Sequence, residues 1–164
     1  MAGASLGTLL AASTLVGLLG AGLAVALGTR RGRRLPLLVG IASQALSCWL
    51  LSHAARPGLY VAGVLGYALS FFFVQPYLIG TAALFDPHGR VAAAYAGAAL
   101  LGAGIGPVVG GLWVGFASYP ALGWQLAAAS AAAMLAIHPV AGALDRGPKS
   151  TVLTPEPRQD VDLR

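Results

Sequence analysis

Acidic residues are nearly missing from this sequence: five Asp and Glu occur in 164 residues, and none lies inside a long apolar stretch. That scarcity excludes most enzyme chemistry, because general acid–base pairs, metal clusters and Ser–His–Asp sets need acids at set spacings. No catalytic residue, metal ligand or cofactor is assigned, and the chain is read as a non-enzyme. Cysteine occurs once; Cys48 sits in an apolar run without a disulfide partner and is expected to be a small buried hydrophobe. Charge of either sign is scarce as well, at 9% of residues against 57% hydrophobic, with a mean hydropathy of +0.78. A soluble domain of this size needs a far more polar surface, so the solvent of this chain is lipid.

What charge exists is unevenly placed. No Asp, Glu, Lys or Arg precedes Arg30, and then four arginines fall within Thr29-Arg30-Arg31-Gly32-Arg33-Arg34. The next charged residue is Arg56, and none occurs from Val91 to Leu144. Translocating several guanidinium groups through hydrocarbon is costly, so the arginine loop is expected on the cytoplasmic side. The net charge of +5 therefore points to the bilayer and its anionic headgroups as partner, not to nucleic acid. Met1 to Ser5 carries no basic residue, and the positive charges follow the first apolar run instead of preceding it. The first segment is accordingly expected to be a retained helix rather than a signal peptide.

The expected fold is all-α, a polytopic bundle of five transmembrane helices over about 4–28, 35–52, 58–85, 91–116 and 121–144, each long enough for a core about 30 Å thick. Pro57 is expected to stop the second helix, and the polar and aromatic residues before Pro120 to divide the last two. The tail from Asp145 to Arg164, with three prolines, is too polar to pack alone and is expected to be disordered. With the arginine loop inside, nine of the ten Lys and Arg residues lie inside and only Arg56 outside. The N-terminus is then outside and the tail cytoplasmic, in a cell membrane taken to be a bacterial inner membrane.

Small residues recur every fourth position near the end of the first helix (Gly20, Ala24, Gly28) and along the fourth (Ala94, Ala98, Gly102, Gly106, Gly110). In lipid, where packing drives helix association, such stripes admit a close neighbour. The third helix carries Gln75-Pro76-Tyr77, with Tyr67 two turns earlier. Pro76 frees the carbonyl of Phe72, and the alternative role of Gln75 is to bond that carbonyl in place of any solute.

Gly102-Ala-Gly-Ile-Gly106-Pro107-Val-Val-Gly110-Gly111 has the form GxxxGPxxGG, and Arg30, Gly32, Arg33 and Arg34 match the R-x-G-R-R of a GxxxD(R/K)xGRR loop. Val25 stands for that loop's first glycine and Thr29 for its aspartate. In this order and spacing the two motifs resemble the major facilitator superfamily of secondary transporters. The resemblance implies an incomplete half of a twelve-helix bundle, helices eight to twelve of the C-terminal half, with the N-terminal half as the alternative. It implies membrane transport of a small solute, that the remaining transporter helices are partners, and that this chain does not transport alone. It also implies that the first, third and fourth helices face a central cavity and the second and fifth face lipid. Gln75, with Tyr67 and Tyr77 next, become the substrate-contact candidates. Asp86 is expected beside the arginine loop, and His138 to be interfacial. The alternative function is a small non-transporting scaffold or assembly subunit whose glycine stripes are interaction surfaces.

Overall fold

The computed structural model describes residues 3–28, 32–85 and 88–146, and among them every regular element is helical. The helices are α1 (Gly3–Leu27), α2 (Arg34–Ser52), α3 (Pro57–Phe85), α4 (Arg90–Phe116) and α5 (Tyr119–Arg146). All five are long and apolar enough to cross a membrane, the architecture of a multi-pass membrane protein. α5 runs on through Asp145 and Arg146, two residues into the segment expected to be disordered; the rest of that tail lies outside the described residues.

Local chemistry explains the boundaries. Gly28 follows α1 at φ +51°, a left-handed conformation that glycine adopts without penalty, and its N–H donates to the Ala24 carbonyl at 2.9 Å. Pro57 does not stop α2, which has already ended at Ser52. It is the first residue of α3, where its fixed φ suits a helix and its missing N–H is not needed. Ser118 caps α5 by accepting from the Ala121 N–H at 3.3 Å, and this lets Pro120 sit harmlessly in the first turn.

α3 is the centre of the bundle. α1 and α2 pack along it, α4 lies against it more lightly, and α5 rests mainly on α2. Glycines make these contacts close. A Cβ at Gly20 of α1 would run into the backbone carbonyl of Leu69, and one at Gly40 of α2 into the Val74 side chain. Ala24, Leu37, Ile41, Val74, Tyr77 and Ala141 form the core between them, with Leu37 0% exposed. Within the spans the hydroxyls of Ser47, Ser70, Thr81 and Ser130 donate to carbonyls one turn back at 2.7–2.8 Å, which meets their hydrogen-bonding demand where no water is at hand.

These contacts separate two glycines only two residues apart. Gly20→Leu must push α1 away from α3 and should cost at least the 1–3 kcal/mol typical of overpacking. Gly22→Leu should be close to neutral, since a side chain there meets nothing within 4 Å. Thermal unfolding in mild detergent is the measurement, and equal losses for the two variants would contradict this packing.

Candidate cleft between helices three and four

Five side chains of α3 at helical spacing, Tyr67, Phe71, Val74, Gln75 and Leu78, form one wall of a cleft of about 460 Å³. Opposite them α4 presents Tyr95, Ala99, Gly102 and Ala103, again one helical face. The cleft exists because three of those four α4 residues are small, while α3 answers with aromatic rings. Tyr67 and Phe71 stack at 5.9 Å with an interplanar angle of 18°. Gln44 of α2 closes one side.

The polar contacts are few. The Tyr95 hydroxyl donates to the Gln75 amide oxygen, so Gln75 is turned across to α4. Gln44, Gln75, Tyr67 and Tyr95 bring two amides and two phenols to a lining without a carboxylate or a basic side chain. Such a surface hydrogen-bonds and stacks but offers no charge for an ion pair. Among the described residues, no group of three His, Cys, Asp or Glu stands close enough to hold a metal ion.

Of the three residues singled out as substrate contacts, Gln75 and Tyr67 line the cleft and Tyr77 does not. Tyr77 is 6% exposed and its hydroxyl reaches the carbonyls of Gly28 at 3.0 Å and Ala24 at 3.3 Å. Two residues on from Gln75 is about 200° around a helix, and that turns Tyr77 onto α1. The helices facing the cleft also differ from expectation: α2 contributes Gln44, and α1 contributes nothing because it packs on another face of α3. α2 lies between α3 and α5 instead of facing lipid all round. Tyr95 went unnoticed in the sequence, although its spacing to Ala99, Gly102 and Ala103 was there to be read.

The arginine loop holds one end of the bundle together. Gly32 has φ +78°, and just beyond it Arg33 Nη1 donates to the Gly80 carbonyl of α3 at 3.0 Å. Arg34 hydrogen-bonds His138 of α5. One arginine therefore ties the start of α2 to α3, and the next ties it to α5. Arg30 and Asp86 lie outside the described residues, and with them the expected pairing of Asp86 with this loop. At the opposite end Trp49 stacks on His53 at 4.6 Å, and the Trp124 ring meets both edge-on at 6.4 and 6.1 Å, joining α2 to α5.

The glycine motif of α4 does not pack on another helix of this chain. A Cβ at Gly102, Gly106, Gly110 or Gly111 would meet nothing within 4 Å, and Pro107 is accommodated inside the helix. α4 has no buried residue at all. A four-residue repeat drifts about 40° around the helix per step, so Gly102 opens into the cleft while Gly110 lies about 80° away. The stripe was expected to admit a close neighbour, yet Gly106→Leu is sterically free in the isolated chain.

None of the family models, curated proteins or solved structures compared with the chain matches it. The resemblance to the major facilitator superfamily thus stands on the order and spacing of its motifs.

The two tyrosines of the region should behave differently when their hydroxyls are removed. Tyr77→Phe loses a buried hydrogen bond between α1 and α3 and should lower stability by about 0.5–1.5 kcal/mol. It should leave binding in the cleft unchanged. Chemical denaturation of the purified variant, paired with a ligand titration, reads both quantities; unchanged stability would contradict a stabilising bond from Tyr77 to the end of α1.

Proposed function

We propose that this chain is part of a secondary transporter of the major facilitator type, moving a small solute that binds between α3 and α4. The observation that carries this reading is the Gln75–Tyr95 pair at the side of a 460 Å³ cleft. An amide and a phenol within a membrane span are expensive to leave dry, and a volume of that size suits a small organic molecule. The motif order that resembles the superfamily supports the same assignment, with the arginine loop on the cytoplasmic side and the N-terminus outside.

Further helices are part of the proposal. α4 turns all but a small part of its surface away from the other four helices, and a cleft bordered by so bare a helix cannot be closed to one side and opened to the other without a second body beside it. The open glycines at positions 106 and 110 also favour the alternative reading, a scaffold subunit that uses them to hold another membrane protein. The two readings part at the cleft, since only a transporter needs it to bind a solute.

Purified chain screened against uncharged aromatic and heterocyclic compounds should yield ligands that raise its unfolding temperature. At one hundred times the dissociation constant such a ligand stabilises the folded state by about 2.7 kcal/mol. Gln75→Leu and Tyr95→Phe should each remove the greater part of that effect. A stabilising ligand indifferent to both substitutions would sink the transporter reading. In liposomes the same chain, without further helices, should give no saturable, gradient-driven flux.

A further inference from the structure

A second cleft, of about 430 Å³, lies between α2, α3 and α5 toward the end of the bundle away from the arginine loop. Its lining is mainly carbon: Leu51, Leu122, Leu126 and the half-buried Cys48, with Tyr60 and Tyr119 also on its wall. It shares Tyr67 with the first cleft. The two are also continuous in helical register. Gln44, Cys48 and Leu51 follow one another along a single face of α2, at spacings of four and three residues, and Tyr60, Tyr67, Phe71 and Gln75 share a face of α3 at spacings of seven, four and four. The two clefts thus lie in line along α2 and α3 as the two halves of a furrow, with α4 lining the polar half and α5 the apolar half.

Resting on the reading of the first cleft as a solute site, we propose that the whole furrow binds one elongated, uncharged amphiphile. Its planar polar head lies among Gln44, Gln75 and Tyr95, and its hydrocarbon tail passes Tyr67 into the groove beside Cys48. The chemistry of each half specifies its share of the ligand. The polar half holds amides and phenols and no charged side chain, so a head with a carbonyl and a hydroxyl is matched and an ionised head is not. The Gln44 amide has no hydrogen-bond partner among the described residues and is available to such a head. The apolar half offers leucines and tyrosine rings, with Ser52 its one aliphatic hydroxyl and already bonded to the Trp49 carbonyl, and this lining suits an alkyl chain. Either cleft alone has the volume of a small ligand, so a molecule filling both is long.

Alkyl esters of 4-hydroxybenzoic acid test this, because they keep one head and vary only the tail. Cys48, the only cysteine, reports on the groove through its rate of labelling by a neutral maleimide in proteoliposomes of the full chain. The methyl ester should raise the unfolding temperature in a Gln75-dependent way and leave Cys48 labelling unchanged. The octyl ester, at ten times its dissociation constant, should occupy about nine-tenths of the sites and slow labelling roughly tenfold. Gln75→Leu should abolish that protection. Octyl ester binding that depends on Gln75 but leaves Cys48 fully reactive would separate the clefts and overturn the furrow, with the solute site intact. Protection that survives Gln75→Leu would make the groove an ordinary lipid crevice and also overturn it. If no ester binds in a Gln75-dependent manner, the furrow falls together with the solute site.

Discussion

A helix in hydrocarbon gains nothing from hiding apolar surface, so what holds this bundle is the close approach of backbones along α3. Gly20 lets α1 lie against the Leu69 carbonyl, and Gly40 lets α2 lie against Val74. Directional bonds then fix the register. The Tyr77 hydroxyl reaches the last carbonyls of α1, and Arg33 reaches the Gly80 carbonyl from the start of α2. With two sides of α3 committed to α1 and α2, only the face bearing Tyr67, Phe71 and Gln75 is left for α4. There the small residues of α4 leave a gap instead of a packed seam.

The same contrast explains why glycines of similar pattern do different things. Gly17 and Gly20 of α1 and Gly40 of α2 are filled against by α3, whereas those of α4 face open space. Spacing alone does not distinguish the two cases, because it specifies a smooth face and not what lies opposite. α4 is thus the helix through which this chain is proposed to meet other transmembrane helices, and its exposed Leu100, Leu101 and Leu112 side chains are compatible with either lipid or protein beside them.

The spans were legible in the sequence to within two residues, because length, apolarity and the placement of Pro36, Pro57 and Pro120 constrain them directly. Even so, Pro57 was misread as a terminator of α2 when it initiates α3. Side-chain direction was harder to read. Gln75 and Tyr77 look equivalent as neighbours in a polar cluster, yet one faces α4 and the other α1, a difference set by which helix lies on which side of α3. Gln44, which reads in the sequence only as mild polarity of the second helix, and Tyr95 were not singled out as site residues for the same reason: a lone amide or phenol in a span becomes informative only when its opposite number is known. The arginine loop reads in the sequence as a cluster of charge between two apolar runs, but its bonds to Gly80 and His138 depend on tertiary placement.

The account stands on the cleft between α3 and α4 being a wet, ligand-accessible space and not a lipid-filled seam. Cysteine accessibility measures this directly. In a Cys48→Ala background, Ala99→Cys faces the cleft and Leu100→Cys, at a position 76% exposed, points away from it on the next residue of the same helix. With a charged methanethiosulfonate reagent present on both sides of the membrane, position 99 should react readily and position 100 should stay unmodified. An unreactive position 99, or equal reactivity at the two, would contradict the account.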